Sequence, residues 1–131
     1  MNAASEDIKD FIEDESTLGL VFATNLFIAQ EPTSPNNCVA VFDTPGGAPQ
    51  LTFDKTEIYE YPSIQVRVRN TSFTTGWDLA NKIKDLLHGL SQETINSTLY
   101  SVVYCTNGPV LLDWDENNRA RIIVNFNLQR R

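Results

Sequence analysis

Two segments alternate between apolar and polar residues over most of their length, and this pattern constrains the fold more than any other feature of the chain. They are YPSIQVRVRN at 61–70 and RARIIVNFNLQ at 119–129. Because successive side chains of a β-strand point to opposite faces, each segment predicts a strand with one face on the core. The residues predicted to face the core are Ile64, Val66, Val68, Ile122, Val124, Phe126 and Leu128.

The segment TTGWDLANKIKDLLHGL at 74–90 has the apolar spacing of a long amphipathic helix. Thr75 is the predicted N-cap, and Gly89 is the predicted left-handed residue that ends the helix. A second helix is predicted from Ser5 to about Glu15. Its apolar stripe is narrow, which predicts a surface position.

Four further segments have the composition of strands, and DENN at 115–118 predicts a hairpin turn between the last two strands. Residues 51–60 fit either a long loop or an extended arm. The predicted fold class is α+β, with a mostly antiparallel sheet packed against one long amphipathic helix, plus an N-terminal surface helix. The length fits one domain, residues 1–131. The four strand segments are LGLVFATNLFIAQ at 18–30, CVAVFD at 38–43, TLYSVVYC at 98–105 and VLLDW at 110–114.

Charge and hydropathy exclude several functions. The net charge is −7, and most of the excess acid lies in the first 16 residues. This composition argues against a protein held to nucleic acid by phosphate contacts. No apolar run approaches the ~20 residues of a membrane helix. The acidic start is unlike a signal peptide, so we expect synthesis in the cytoplasm.

The glycine-rich stretch VFDTPGGAPQ at 41–50 resembles a phosphate-binding turn only superficially. It has neither the GxGxxG pattern nor the lysine of a phosphate-binding loop. We therefore predict that Gly46 and Gly47 supply positive φ angles where a strand turns sharply.

Other candidate sites also fail on spacing. The stretch DWDENN begins like a calcium loop but has Asn118 and Val124 where glycine and glutamate are required. His88 has no recognisable nucleophile partner, and Cys38 and Cys105 have no CxxC spacing. We predict no catalytic residue, no cofactor-binding residue and no metal ligand. The acids considered for a metal nuclease were Asp43, Asp54, Glu57 and Asp113.

The order of these motifs resembles the small tail-terminator and minor capsid proteins of long-tailed bacteriophages. The resemblance covers roughly residues 18–131 and rests on strand and turn motifs in a fixed order. Those motifs are Leu26-Phe27, the Asp43 strand end with Gly46-Gly47, Tyr61-Pro62, His88-Gly89-Leu90 and Asn125-Phe126.

The resemblance implies a non-enzymatic structural protein of the virion, located at the head–tail junction and made in the host bacterial cytoplasm. Such a protein forms a ring, usually a hexamer, on the end of the tail tube. There it stops tube polymerisation and offers a surface for head joining. The implied partners are further copies of the chain, the tail tube protein and head-completion or connector proteins. Genomic DNA would pass through the lumen without sequence-specific binding, and no membrane is involved.

A six-membered ring is consistent with the size of the chain. A 131-residue domain has a diameter of roughly 36 Å as a sphere. Six touching spheres leave a hole as wide as one sphere, which exceeds the roughly 20 Å width of duplex DNA. A negative lumen would let DNA slide without adhering.

A ring requires two different patches that bind each other. The predicted subunit contact joins Arg67, Arg69 and Arg121 to acids of the first helix, Asp10 and Asp14. Three alternatives remain open. The chain could be a head-completion protein (stopper or adaptor) on the portal side, a small metal-dependent hydrolase, or a binding module with an open sheet edge.

Overall fold

A computed structural model of the chain describes residues 1–51 and 58–131, apart from the side chain of Leu51. Residues 52–57, which make up most of the ambiguous segment 51–60 and include Asp54 and Glu57, lie outside the described residues. The elements are α1 Ala4–Glu13, a short 3-10 turn Ser16–Leu18, β1 Leu26–Ile28, β2 Cys38–Leu51, β3 Ile58–Asn70, α2 Phe73–Leu87, β4 Leu90–Ile95, β5 Thr98–Trp114 and β6 Ala120–Arg130.

The six strands form one mixed sheet that curls into a half-barrel, in the order β1-β2-β3-β6-β5-β4. β1 pairs with β2 in parallel, and the other neighbours are antiparallel. β3 and β6 lie at the centre and pair from Asn70↔Ala120 to Glu60↔Arg130.

The predicted fold class is wrong. The structure is 52% strand and 23% helix, and the sheet is not packed against one long helix. Instead, two short helices of 10 and 15 residues contribute to the core. β2 and β5 run through the glycines and prolines that had suggested turns, because register shifts absorb these residues within the strands. β4 has no alternating pattern, so the sequence did not reveal it.

The helix starts also differ from prediction. Ser72, not Thr75, caps α2, and its hydroxyl accepts a hydrogen bond from the Thr75 N–H. Ser5 lies inside α1, where its N–H and hydroxyl both donate to the Asp43 carboxylate, at 3.0 Å and 2.6 Å. The Asp43 carboxylate, which is distant in sequence, therefore accepts hydrogen bonds at the N-terminal end of α1. α1 is not merely a surface helix, since Ile8 and Ile12 are fully buried.

The core-facing residues predicted for β3 and β6 are confirmed. All seven are 0–1% exposed, and they pack with the apolar sides of α1 and α2. Gly89 follows the C-cap residue His88 and has a φ of +89°, which confirms the predicted left-handed helix end. The hairpin turn between β5 and β6 is also confirmed, with Asp115 N donating to Arg119 O.

The prediction that Gly46 and Gly47 provide a sharp turn with positive φ is wrong. The strand continues through both, and the described glycines with positive φ are Gly19 and Gly89. A Cβ at Gly46 would lie 2.2 Å from the Tyr61 carbonyl oxygen. This position requires glycine because β2 and β3 approach closely there.

Replacing Gly46 with alanine should therefore destabilise the fold. We expect Gly46→Ala to lower the free energy of unfolding by about 1–3 kcal/mol, the usual cost of overpacking. Urea unfolding measures this change in the free energy of unfolding. Gly108→Ala is the matched control, because a Cβ at Gly108 meets no atom within 4 Å. Equal unfolding midpoints for the two variants would contradict the close approach.

Candidate subunit interface

The face of the sheet opposite the helices carries three arginines around one acid. Arg69 and Arg121 are directly paired across β3 and β6, and Arg67 lies two residues along β3. Glu31 reaches them from the segment between β1 and β2. We call these residues, Glu31, Arg67, Arg69 and Arg121, the arginine cluster.

The Glu31 carboxylate contacts all three guanidinium groups. Its oxygens lie 3.7 Å, 3.5 Å and 3.4 Å from Nη1 of Arg67, Arg69 and Arg121, respectively. The Glu31 side chain is 10% exposed. Because like charges repel strongly when solvent is largely excluded, Glu31 offsets part of the repulsion among the three arginines.

Each arginine has further partners within the chain. Arg69 donates to the carbonyl oxygens of Pro35 and Asn36 at 2.6 Å and 3.3 Å, and its side chain is 3% exposed. Arg121 binds both oxygens of Asp113, at 2.6 Å and 2.5 Å. These hydrogen bonds hold the pKa of Asp113 below its ordinary value. The Arg67 guanidinium lies over the Phe42 ring, 4.8 Å from its centroid.

The polar character of this face extends along β3 and β6. Gln65 donates to Asn125 at 3.1 Å, and Ser63 donates to Asn127 at 2.6 Å. Arg67 joins this row by donating to Gln65 at 2.9 Å. The side chains hold one another in place across the strands, so the face presents fixed donors and acceptors.

The predicted acids lie elsewhere. Asp10 is on α1, which packs on the opposite face of the sheet, and Asp14 directly follows α1; both line a groove of about 290 Å³ together with Glu15 and Glu93. Burial alone would raise the pKa of Asp10, but hydrogen bonds from Lys9 and Asn96 lower it below its ordinary value. Within one chain the structure does not bring these acids to the arginines. A contact between the two sets across subunits stays a prediction.

Sequence reasoning missed Glu31 and Asp113 as partners of the arginines. One signal was available, since three arginines predicted on one sheet face require neighbouring acids. It also missed a buried network around Asp7. Tyr100 Oη donates to Asp7 Oδ2 at 2.6 Å, and Arg130 Nη1 donates to Tyr100 Oη at 3.1 Å. Asp7 lies in an acidic run typical of an exposed helix start, so no local signal marked it as buried.

The residues considered for chemistry have structural contacts. His88 Nδ1 accepts a hydrogen bond from the Cys105 N–H at 2.9 Å, and Asp43 binds Ser5. Cys38 is buried, which raises the pKa of its thiol. In residues 1–51 and 58–131, no group of three or more His, Cys, Asp or Glu side chains is placed to hold a metal ion. Neither described helix is long and apolar enough to cross a membrane.

The fold is shared with a chain of the solved structure described as "Virion of native gene transfer agent (GTA) particle". The match covers 98% of this chain and 94% of that chain, with a TM-score of 0.69 and 16% sequence identity. At this identity the likeness shows the fold alone. The class of protein is therefore a small curled-sheet domain of the type found in that particle. No curated protein matches the chain.

The sequence profile of the family described as "Bacteriophage tail terminator protein" matches residues 6–131. The chain belongs to the bacteriophage tail terminator family, a family of structural virion proteins. The resemblance inferred from its motifs is thereby confirmed.

Removing the charge of Glu31 should destabilise the fold strongly. We expect Glu31→Gln to lower the free energy of unfolding by about 3–5 kcal/mol, because three guanidinium groups lose a shared, largely buried counter-ion. Urea unfolding at neutral pH measures this change. Glu116→Gln, at an exposed residue of the hairpin turn, removes the same charge as a control. A Glu31→Gln protein as stable as this control would show that the arginines do not depend on Glu31.

The Tyr100 network should be visible in the alkaline pH dependence of stability. Burial and the hydrogen bond to Asp7 raise the pKa of Tyr100 above its ordinary value of about 10. Below pH ~10 both folded and unfolded states keep the proton, so the stabilisation is complete. Above it the unfolded state ionises first, and the stabilisation falls as the pH rises towards the folded-state pKa.

We therefore compare Tyr100→Phe with the wild type by urea unfolding at pH 8 and pH 10.5. The variant should lose about 1–3 kcal/mol at pH 8, because Asp7 loses a buried donor. The difference between the two proteins should shrink at pH 10.5. A difference that is constant or larger at pH 10.5 would contradict the raised pKa.

Proposed function

We propose that this chain assembles into a ring, a hexamer, that caps the tail tube of a long-tailed phage and stops its polymerisation. The observation that carries the proposal is the family match over residues 6–131. The described residues support a non-enzymatic role, because their charged and polar side chains are used in contacts within the chain. The arginines bind Glu31 and Asp113, and His88 accepts a backbone hydrogen bond.

The proposed partners follow from the position at the end of the tail. One side of the ring contacts the tail tube protein, and the other contacts head-completion or connector proteins. Genomic DNA passes through the lumen without sequence-specific binding. The net charge of −7 per subunit supports free passage, because an acidic ring repels phosphate.

We further propose that charges contribute to the contact between subunits. Asp14 is exposed and lies at the acidic groove on α1. Arg67 and Arg121 keep about a quarter of their side chains exposed, at 24% and 26%. Arg69 lies beneath this surface, because its side chain is buried and donates to the carbonyl oxygens of Pro35 and Asn36. The acidic groove of one copy would face Arg67 and Arg121 of the next.

The decisive experiment is electron microscopy of tails made with and without the protein. Tails assembled without it should be overlong, and adding the purified protein during assembly should restore a uniform length. A ring should be visible at the end of restored tails. Tails of normal length in its absence would overturn the proposal. Binding to isolated heads but not to tails would assign the chain to the portal side instead.

Reversing the charge of Asp14 tests the electrostatic contact. We expect Asp14→Lys to weaken ring formation, with a larger effect at low ionic strength, because salt screens exposed charges. Analytical ultracentrifugation at 50 mM and 500 mM salt measures assembly. Asp85→Lys is the matched control, since its side chain is 75% exposed on α2. If both variants assemble alike at both salt concentrations, Asp14 is not at the contact.

A further inference from the structure

The C-terminal half of β5 is an open edge of the sheet. β4 pairs with β5 only over Thr98 to Val103. The end of α2 covers the next positions, where Gly89 N donates to Val103 O and Cys105 N donates to His88 Nδ1. Beyond Cys105, no strand in the described part of the chain pairs with this edge.

This open edge carries exposed apolar side chains at its far end. Val110, Leu111, Leu112 and Trp114 are between 38% and 47% exposed, and we call them the β5 patch. The charged residue among positions 110–114 is Asp113, and its carboxylate accepts a hydrogen bond from Arg121. An unpaired edge that is long, apolar and without free charge associates with other chains unless something covers it.

A second exposed apolar patch lies at the opposite edge of the same sheet. Val21 and Phe22 are 53% and 42% exposed, and we call them the β1 patch. Phe22 is bridged to Leu26 at the start of β1. The Lys9 ammonium lies 4.3 Å from the centroid of the Phe22 ring. The Phe22 backbone N–H donates to the Glu13 carboxylate at 2.6 Å. The aromatic ring is therefore held in position although it faces solvent, which lowers the entropy cost of binding.

The two patches lie at the same level along the strands. Strand pairing connects them in a single row of residues across the sheet. That row is Leu26, Val39, Val68, Ile122 and Leu111.

A contact between two different patches builds a closed ring only when successive copies return to the starting height; otherwise it builds a helical filament. Patches at opposite ends of one row allow such a closed arrangement. We infer that the β5 patch of one copy packs against the β1 patch of the next copy. This inference rests on the proposed function, because it names the apolar contact that joins the proposed ring.

The area of the patches indicates a weak pairwise contact. Full burial removes on the order of 100 Å² of accessible surface for an aliphatic side chain and about 200 Å² for an aromatic one. At the observed exposures, the two patches together offer roughly 400 Å² of apolar surface, well below the ~1,200 Å² of a stable dimer. Copies should therefore be mostly monomeric when dilute, and ring closure or the tube end should stabilise the assembly.

The other open edge of the sheet is less suited to pairing. β2 extends beyond β1, but this stretch contains two prolines, Pro45 and Pro49, whereas the open stretch of β5 contains one, Pro109, which precedes the β5 patch. Proline has no N–H to donate and is typical of edges that resist association. The β1 patch thus remains the better counterpart for the β5 patch.

Disulfide cross-linking tests the contact directly. In a Cys105→Ser background, Val21→Cys and Leu112→Cys are made singly and together, and each protein is oxidised on assembled tails. The double variant should give a ladder of cross-linked species up to the full ring on a non-reducing gel. A mixture of the two single variants should give only dimers, and each single variant alone should give none.

The outcomes separate this inference from the proposed function. Terminated tails with no cross-link from the double variant would overturn the inference and leave the proposed function standing. Dimers from Leu112→Cys alone would also overturn it, because they indicate two β5 edges facing each other. If tail length does not depend on the protein and no ring forms, both fail together.

A charge substitution gives a second readout that does not rely on cysteine geometry. Leu112→Lys should raise the concentration needed for ring assembly at least about tenfold, because a charge enters an apolar contact. Circular dichroism and urea unfolding of the monomer verify that the variant folds. Asn107→Lys, at an exposed residue earlier in β5, is the matched control. Equal assembly by Leu112→Lys and the control would overturn the inference.

Discussion

The pairing of β3 with β6 at the centre of the sheet determines how the rest of the molecule is arranged. Apart from Ile123, which lies opposite Arg67, their central residues alternate, so the pairing directs apolar side chains to one face and polar side chains to the other. The helices cover the aliphatic face, and their apolar sides complete one core. The opposite face keeps the arginines and amides, and a one-residue slip would exchange the two faces.

Acidic residues from other parts of the chain stabilise the polar face by pairing with its arginines. Glu31 comes from the segment before β2, and Asp113 comes from β5. A similar arrangement lies at the other end of the sheet, where Asp7 on α1 accepts a hydrogen bond from Tyr100 and forms an ion pair with Arg130. In both places a long-range ion pair or hydrogen bond joins segments distant in sequence. These contacts hold the charged side chains in place within the chain.

The strand edges and exposed patches fit a protein that acts by assembling. The described residues contain no group of three or more His, Cys, Asp or Glu side chains placed to hold a metal ion. What they offer is a curled sheet with two apolar edge patches at one level and an acidic groove on the helix side. The β1 patch lies at the edge of the first strand of the sheet, and the β5 patch lies on the half of β5 that β4 leaves unpaired.

By itself the sequence determined the central strands, the amphipathic α2, the hairpin turn after Trp114 and the family. Each of these depends on local periodicity or on the order of short motifs, which can be read along the chain. Only the tertiary structure decided that the sheet dominates, that β2 and β5 continue through glycine and proline, and that α1 is capped by Asp43. It also decided that the arginines surround Glu31 and that Asp7 is buried. These features depend on which distant segments meet, and local sequence does not encode that information because a bulge or a long-range partner leaves no periodic signal.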